Sequence, residues 1–427
     1  MKLIDRLTEL AFTPSENLPA HSLTMARMSL FDWIVCGLGG RNEPVSSKVR
    51  NYIETEYATG VCSVFGGVKT SPVAAALANG TISHALDYDD THFAHIGHLS
   101  VGIFPAAMAV AQETGSSIDE MVAAFLVGAE SAVRTGMVLG PDHYERGFHQ
   151  TATAGAFGAT IAAARLYGLS SLQCGAALGL CATRASGLKN QFGTMGKPLN
   201  AGYSASNGVE CAKLAATGVS SADDGLEGMQ GFIETHSAGP CEVQTSGRFL
   251  FDDITYKLHA CCHGTHAMIE AILKARDTNQ FTPEDVAALE VGVHSKWLRV
   301  CDNKHPKTGL EVKFSYAWLA GMTVKGLPLA DPATFTDELC RDSGLQAFAA
   351  KVVVTATDIA DTAAQVAISL VDGTKIKEQY DLSDKIDIDV LSSKLRNKAH
   401  AVTGSDSHWM EIHDNGGQSA QQFDLAG

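Results

Sequence analysis

In the first 235 residues, apolar positions recur among polar ones with the period of an α-helix. In "SLTMARMSLFDWIVCGL" the apolar residues from Leu23 to Leu38 recur every three to four positions, so they share one helix face, and Ser22 is the predicted N-cap. The runs "TATAGAFGATIAAARLYG" and "SSLQCGAALGLCATRASG" carry Gly and Ala at spacings of three and four, which lets helix axes approach closely. Gly168 is a predicted C-cap, and Ser170 or Ser171 the following N-cap. Without strand signals in this part, the pattern predicts a large all-α helical domain over residues 1–255.

The pattern changes after about residue 255. Three segments are β-branched and alternating, which indicates strands: "VAALEVGVHS", "KVVVTAT" and "QVAISLVDGTKIKEQY". Asp372-Gly373 in the last of these is a hairpin signal, and "HAMIEAILKA" is typical of a helix. We therefore predict a smaller α+β domain over residues 256–390. The polar segment 391–427 is predicted to return to the helical domain, and the fold class is mainly α.

The composition and net charge argue against some classes of function. Hydrophobic residues make up 45% and charged residues 19%, which favours a compact globular chain. A net charge of −15 argues against nucleic acid or an anionic membrane as partner, although a pocket can still create a local field for a small anion. The N-terminus does not resemble a secretory signal, and the uncharged run from Thr91 to Gln112 contains three histidines and a proline, so we expect a soluble, cytoplasmic protein. Ten cysteines without any CxxC indicate mostly buried thiols.

The stretch "HALDYDDTHFAHIGH", residues 84–98, concentrates four histidines and three aspartates. His92, His95 and His98 recur every third residue, and on a helix they would share a metal ion with a neighbouring aspartate. Gly97, the missing HExxH pattern and the scattered cysteines argue against this interpretation. The same residues also fit a surface turn with capping aspartates. A third interpretation is an acid/base site that works without metal.

Residues elsewhere favour acid/base chemistry. "YERGFHQT" places Tyr144 and His149 before a helix that starts near Thr151, and the amides of such a helix end favour a bound carboxylate. "GTMGKPLNAG" places Lys197 before Pro198 in a predicted Gly-flanked turn, where one cation meets a carboxylate as a point charge. A solvated loop lysine is the alternative for Lys197.

Together, several stretches resemble one known family over about three quarters of the chain. They are "ANGTISHALDYDDTH", "GHLS", "GFHQTATAGAFGAT", "ASGLKNQFGTMGKPLNAG", "LEGMQGF", "YKLHACCHGTHAMIEAI" and "KFSYAWLAG", in that order. The chain resembles the MmgE/PrpD family, which includes 2-methylcitrate dehydratase, cis-aconitate decarboxylase and iminodisuccinate epimerase.

The resemblance implies a large helical domain, a smaller α+β domain acting as a lid with the site between them, a homodimer, and no metal or organic cofactor. This favours the acid/base interpretation of residues 84–98. When the family's site residues are carried over position by position, the resemblance implies the following residues in this chain: Asp87, Thr91, His98, His149, Lys197 and Lys257. Tyr144 is a further catalytic candidate.

Two departures from the family pattern bear on the reaction. The family's decarboxylases have a histidine five residues after the lysine that matches Lys257, and this chain has Cys262 there, which argues against decarboxylation. The 2-methylcitrate dehydratases typically have HPSDN where this chain has "HLSVG" from His98, which argues against that particular substrate. The epimerase-like members share the short spacing to the histidine and a nearby cysteine.

The resemblance implies chemistry at a carbon next to a carboxylate of a small di- or tricarboxylic acid. We predict a cofactor-independent hydro-lyase of the 2-methylcitrate dehydratase type, with a dicarboxylate epimerase as the alternative. His149 is the first choice for the base and His98 the second. Lys197 and Lys257 are expected to hold negative charge, Asp87 to orient a histidine or serve as a second base, and Tyr144 and Thr91 to donate hydrogen bonds. A cis-aconitate-type decarboxylase, a metal-dependent hydrolase and a non-catalytic metabolite-binding protein remain further alternatives.

Overall fold

The structure is a computed structural model that describes residues 2–237, 239, 247–423 and 425. These residues form two compact units. The first comprises Met1–Tyr256 and Asp406–Gly427, and the second comprises Lys257–Ser405. The sequence pattern places the corresponding boundaries at residues 255 and 390, so the structure assigns one further helix to the second unit.

The first unit is built almost entirely from helices. In its described part before residue 256 the helices and the short strand are α1 Leu3–Ala11, α2 Ala20–Gly40, α3 Pro44–Glu56, β1 Thr59–Cys62, α4 Pro72–Ser83, α5 Ser100–Thr114, α6 Ile118–Glu145, α7 Gln150–Leu166, α8 Ser171–Ala182, α9 Gly196–Ala216 and α10 Phe232–His236. The strand β1 was not anticipated, because its four residues carry too short an alternation to be recognised.

Two local predictions of helix ends have different outcomes. Ser170 is the N-cap of α8, and its side chain and that of Gln173 form a reciprocal capping box, as the sequence predicts. The prediction that Ser22 caps a helix is wrong, because α2 starts two residues earlier at Ala20, after Pro19. Pro19 is the N-cap residue, with extended backbone angles of φ −62° and ψ 130°, and no side chain caps this helix start.

The central helices of the first unit approach closely at small residues, as the Gly- and Ala-rich runs predict. A Cβ atom added to Gly80 on α4 would lie 2.8 Å from the Cα atom of Gly202 on α9. One added to Gly158 on α7 would lie 2.5 Å from the carbonyl oxygen of Gly128 on α6. Both distances are shorter than Cβ contacts in proteins allow, so these crossings require glycine.

Helix α6 alone, among the described residues, is long and apolar enough to cross a membrane by length and composition. Of its most apolar stretch, 83% is buried within the structure. The helix is also interrupted at Gly140, where φ is 71° and ψ is 177°, directly before Pro141. Burial on most sides is typical of the core helix of a globular unit.

The second unit combines a small sheet with helices. Its elements are α11 His266–Thr278, β2 Val286–Val293, α12 Ser295–Cys301, α13 Gly309–Val312, α14 Tyr316–Lys325, α15 Ser343–Ala349, β3 Val352–Ala356, β4 Ala363–Leu370, β5 Lys375–Asp381 and α16 Ile388–Thr403. The strand order is β3-β2-β4-β5, with β2 and β3 parallel and the other pairs antiparallel.

The predicted strands of the second unit are confirmed, as is the turn between the last two. Gly373 has φ of 91° and donates its amide to the carbonyl of Leu370, which closes the hairpin between β4 and β5. Alternate residues of β2 are buried in one hydrophobic cluster with residues of α11 and α14. The predicted fold class, mainly α with a smaller α+β part, is therefore confirmed.

The C-terminal segment belongs to the first unit from Asp406 onward. It forms α17 His408–Asp414 and a 3-10 turn at Ala420–Gln422. The side-chain amide of Gln112 on α5 donates to the carbonyls of Ala420 and Phe423. These hydrogen bonds fix the end of the chain against α5.

Candidate active site

The segment between α4 and α5 carries the histidines and aspartates, and it consists of turns rather than helix. His92 and Gly97 form a short antiparallel bridge, and Thr91 pairs with Thr255. Asp87 and Ile96 have positive φ values of 52° and 54°. Positive φ costs energy for residues other than glycine and is frequent at functional sites. The helical arrangement that a three-histidine metal site requires is therefore absent from residues 84–98.

Asp89 lies fully buried between two imidazole rings. Its Oδ1 atom lies 2.7 Å from Nδ1 of His84, and its Oδ2 atom lies 2.8 Å from Nδ1 of His98. Burial alone would raise the pKa of Asp89, but the charges and hydrogen bonds of the two histidines lower it well below its usual value. Asp89 is therefore an anion that holds both rings.

His98 has a defined tautomer in this arrangement. Besides the Asp89 carboxylate, the carbonyl oxygen of Asp90 lies 2.8 Å from Nδ1 of His98. The Asp90 carbonyl can only accept a hydrogen bond, and the charge of Asp89 favours a proton on the same side of the ring, so the neutral ring has its lone pair on Nε2. The backbone amide of His98 donates to Oγ1 of Thr151 on α7, and this hydrogen bond fixes the backbone that carries the imidazole ring.

The Nε2 atom of His98 faces an ion pair. It lies 3.6 Å from Oδ1 of Asp87, and Oδ2 of Asp87 lies 2.6 Å from Nζ of Lys197. The Asp87 side chain is 40% exposed and that of Lys197 is 15% exposed, so the pair borders solvent. Lys197 lies in the first turn of α9 and not in the predicted loop. The Lys197 ammonium also lies 5.2 Å from the centre of the Phe192 ring.

His149 lies at the N-cap of α7 and has the opposite tautomer. The Asn200 amide nitrogen lies 3.1 Å from Nδ1 of His149 and also donates to the carbonyl of Leu188, which fixes the amide orientation. Nδ1 of His149 is therefore an acceptor, and the neutral ring carries its proton on Nε2. Burial, followed by the charge of Lys197, lowers the pKa of His149 well below its usual value, so this ring is neutral at pH 7.

The N-terminus of α7 is covered by protein. A Cβ atom added to Gly97 would lie 2.9 Å from the amide nitrogen of Thr151, and Thr151 itself is fully buried. We predicted that these amides bind a substrate carboxylate, but Thr151 has no exposed surface that a substrate could reach. The helix end instead positions His98 through the Thr151 hydroxyl.

Several supporting residues could not be recognised from the sequence. Asp89 was one of the aspartates available to a metal ion, and no local signal indicated the roles of Asp90 and Asn200. Asp90 accepts from the amides of Leu99 and Ser100 and from the Ser100 hydroxyl, which caps α5. Burial and the charge of Asp89 raise the pKa of Asp90 to about 7. An aspartate ten residues before a helix-starting serine is too remote in sequence to be recognised as a cap.

Tyr144, Thr91 and Cys262 each contact a further residue. The ring of Tyr144 lies 3.5 Å under Nζ of Lys189, which also donates to the Tyr144 carbonyl. The Thr91 hydroxyl oxygen lies 3.2 Å from that of Thr255. Lys257 and Cys262 belong to the second unit, where Lys257 is buried and Cys262 contacts another cysteine.

Four side chains of the cluster could hold a metal ion. Among the described residues, His84, Asp87, Asp89 and His98 each offer a ligand atom, and these atoms lie within 4.8 Å of one another. Two imidazoles and two carboxylates suit zinc, although an ion would displace the contacts that Asp89 makes with both rings. His92 and His95 of the predicted triad are not members of this set. His92 Nε2 lies 2.8 Å from the Leu250 carbonyl.

A mainly helical unit thus brings together imidazoles, a carboxylate and a lysine ammonium, which are groups that acid/base chemistry on an anionic substrate uses. Family models confirm the resemblance found in the sequence. The MmgE/PrpD N-terminal domain matches residues 10–244, and the MmgE/PrpD C-terminal domain matches residues 259–413. The chain belongs to the MmgE/PrpD family.

Curated relatives point to lyases within this family. The chain is 34% identical over 297 residues to a cis-aconitate decarboxylase-like protein of Aspergillus oryzae, a match that covers 64% of this chain and 60% of that protein. It is 31% identical over 287 residues to cis-aconitate decarboxylase of Aspergillus terreus, covering 61% and 57%. The human cis-aconitate decarboxylase is 26% identical over 292 residues, covering 64% and 60%. The matches thus span about 60% of these relatives' lengths.

Proposed function

We propose that the chain is a lyase that moves a proton at a carbon next to a carboxylate in a small di- or tricarboxylic acid. The observation that carries this proposal is the orientation of the His98 ring. Its Nδ1 atom faces the Asp90 carbonyl and Asp89, and its Nε2 atom faces the Asp87–Lys197 pair. In the neutral form of this ring the proton stays on Nδ1, so that Nε2 has an oriented lone pair and can act as a general base near neutral pH.

Lys197 supplies the positive charge that the reaction needs. A carbanion next to a carboxylate develops a second negative charge, and a fixed ammonium stabilises that charge more than the ground state. A substrate carboxylate competes with Asp87 for Lys197, since the Asp87 side chain is exposed. This exchange would bring the acidic carbon toward Nε2 of His98.

His149 is better suited to donate a hydrogen bond than to act as the base. Its Nδ1 accepts from Asn200, and its low pKa keeps the ring neutral with the proton on Nε2. A neutral imidazole polarises a substrate oxygen without giving up its proton. The geometry thus supports His98 as the base, the reverse of the order predicted from the sequence.

Water elimination is the leading reaction type. Once His98 has taken the proton, its imidazolium can return it to a hydroxyl that departs from the same face, so one residue supports both steps. Decarboxylation is the second candidate, because the relatives at 31% and 34% identity are named for it. Epimerisation requires a donor on the opposite face. Substrate contacts of Thr91, Tyr144, Lys257 and Cys262, a homodimer and a cytoplasmic location stay predictions.

Proton NMR in D₂O tests the proposal directly. The enzyme is treated with a chelator, dialysed, and mixed with citrate, 2-methylcitrate, cis-aconitate, malate, tartrate or iminodisuccinate isomers. We expect deuterium at the carbon next to a carboxylate and loss of water from one acid. Release of carbon dioxide would assign a decarboxylase, and a deuterated stereoisomer would assign an epimerase.

Metal dependence is the outcome that would overturn the proposal. If exchange stops after chelation and returns with zinc, the set His84, Asp87, Asp89 and His98 binds a catalytic metal instead. Elemental analysis of the protein as purified would then show a bound ion in proportion to activity.

Two variants separate the roles of the histidines. His98→Gln should abolish exchange, because glutamine has no basic lone pair, whereas His149→Gln keeps an N–H donor and should retain measurable exchange. His21→Gln, at an exposed position of α2, is the matched control and should exchange as the wild type does. Exchange lost in His149→Gln but kept in His98→Gln would assign the base to His149.

A further inference from the structure

The second unit contains two cysteines in direct contact. The Sγ atoms of Cys262 and Cys301 lie 3.3 Å apart, and the Cys301 thiol donates to Cys262. A disulfide bond is about 2.05 Å long, so a movement of little more than 1 Å would join them. Cys301 is fully buried at the end of α12, whereas Cys262 is partly exposed. We propose that Cys262 and Cys301 are a reversible redox pair that a hydroperoxide oxidises to an intramolecular disulfide.

The local structure keeps the segments that carry Cys262 and Cys301 next to each other. Trp297, one helical turn before Cys301 on α12, packs on Gly264, where an added Cβ atom would lie 2.4 Å from the indole ring. The Tyr316 hydroxyl donates to the Gly264 carbonyl at 2.7 Å. The turn after Cys262 is therefore fixed beneath α12, and its sulfur remains beside that of Cys301.

The neighbouring cysteine is engaged elsewhere. The sulfur of Cys261 lies 3.2 Å from the Thr265 hydroxyl. Burial raises the pKa of Cys261 to about 12, although the ammonium groups of Lys313 and Lys257 act in the opposite direction. A buried, protonated Cys261 is therefore unreactive toward a peroxide.

The two cysteines differ in their readiness to ionise. The hydrogen bond to Cys262, followed by burial, raises the pKa of Cys301 well above its usual value. The proton of the pair is therefore held on Cys301, and the sulfur of Cys262 is the one that reacts first. This assigns Cys262 as the attacking and Cys301 as the resolving residue.

The chemistry balances with one hydroperoxide. The thiolate of Cys262 attacks the terminal peroxide oxygen, the O–O bond breaks and the sulfur becomes a sulfenic acid. The leaving alkoxide, or hydroxide from hydrogen peroxide, takes up a proton from solvent. The sulfur of Cys301 then attacks the sulfenic sulfur, and hydroxide departs with the Cys301 proton as water. The two thiols lose two electrons to the peroxide, and a dithiol reductant returns them by exchange.

The test uses the full chain, reduced, desalted and treated with hydrogen peroxide. After denaturation, blocking of free thiols and digestion, mass spectrometry should find the Cys262 peptide joined to the Cys301 peptide. Two thiols per chain should be lost, and dithiothreitol should restore both. Stable sulfinic acid at Cys262 with Cys301 still reduced would overturn the proposal.

Variants provide the controls. In Cys301→Ser the reaction should stop at the sulfenic acid of Cys262, which dimedone traps, whereas wild type should yield the disulfide and no adduct. Cys340→Ser removes another partly exposed cysteine and should leave the disulfide unchanged. If peroxide oxidised only the thiol of Cys340, the result would contradict the proposal. The wild-type peptide map decides the matter even if Cys301→Ser folds poorly.

Discussion

At the scale of single residues, Asp89 determines what its neighbours do. Its buried carboxylate is hydrogen-bonded to Nδ1 of His84, and its other oxygen lies 2.8 Å from Nδ1 of His98, where its charge favours a proton on that nitrogen. Asn200 has the corresponding role for His149, with the opposite result. Two histidines of the same cluster are thereby given different tautomers, which suits one for accepting a proton and the other for donating a hydrogen bond.

Lys197 gives the most direct prediction at this scale. Lys197→Ala should lower kcat by roughly 10²-fold or more, since the ammonium stabilises charge that appears only in the transition state. Lys213→Ala, on the same helix α9 but in an exposed pair with Glu113, is the matched control and should change kcat little. Initial rates with the acid identified by NMR would measure both. An unchanged kcat in Lys197→Ala would remove this residue from the mechanism.

At the scale of elements, glycines determine how closely the helices of the first unit pack. A Cβ atom added to Gly208 on α9 would lie 2.5 Å from Cβ and 2.6 Å from the carbonyl carbon of Ala159 on α7. Backbone cannot yield as a flexible side chain does. The crossing of α7 and α9 therefore depends on this position, which also affects His149 and Lys197 at the starts of the two helices.

Gly208→Ala should lower the free energy of unfolding by about 1–3 kcal/mol through overpacking. Gly175→Ala on α8, where nothing lies within 4 Å of an added Cβ atom, should instead stabilise by up to about 1 kcal/mol because alanine is the better helix former. Urea denaturation followed by circular dichroism measures both. Equal effects of the two substitutions would show that close packing is not what Gly208 provides.

In the second unit, Glu270 connects two helices. Its carboxylate on α11 lies 2.9 Å from Nε2 of His259 and 2.6 Å from Nζ of Lys394 on α16. Burial alone would raise the pKa of Glu270, but the hydrogen bond and charge of His259, together with Lys394, lower it to about 2. The carboxylate therefore stabilises the folded form as an anion.

The sign of the pH dependence follows from this lowered pKa. The stabilisation is fully present above the unfolded-state pKa of about 4.5 and is lost as the pH falls toward 2. Glu270→Gln should destabilise by at most about 3 kcal/mol at pH 7, and the difference from wild type should shrink toward pH 3. Urea unfolding at both pH values measures this, with the exposed Glu290→Gln as control. A difference that does not vary with pH would contradict the ionic origin.

At the scale of the whole chain, the C-terminal segment closes the first unit. Phe423 and Leu425 are buried, and the amide of Gly66 donates to the Leu425 carbonyl. The first unit therefore combines residues from near the start and near the end of the sequence. Residues far apart in sequence contribute to one core, which makes the unit sensitive to changes near its end.

Phe423→Ala should lower the free energy of unfolding of the first unit by about 3–5 kcal/mol, because it removes a ring that is 1% exposed. Met410→Ala, at a side chain that is 67% exposed on α17, should change it by less than about 0.5 kcal/mol. Thermal unfolding measured by calorimetry compares the two. A small effect of Phe423→Ala would show that the segment contributes little to the core.

Local patterns sufficed for part of the fold and part of the site. The capping box at Ser170 and the hairpin at Gly373 were predictable because their interactions span only three or four residues. Ser22 was misassigned because Pro19 starts the helix earlier. Asp87, His98 and Lys197 were identified through the family resemblance, since the 110 or so positions between Asp87 and Lys197 carry no local sign of their contact.

The sequence by itself determined the family, the two kinds of structural unit and the residue types available for acid/base chemistry, because periodicity and motifs are properties of neighbouring positions. Only the tertiary structure decided what each histidine contacts. Tautomer and pKa depend on Asp89, Asn200 and burial, and these are set by contacts between distant segments. The same holds for Cys262 and Cys301, whose sulfur atoms meet only in the fold.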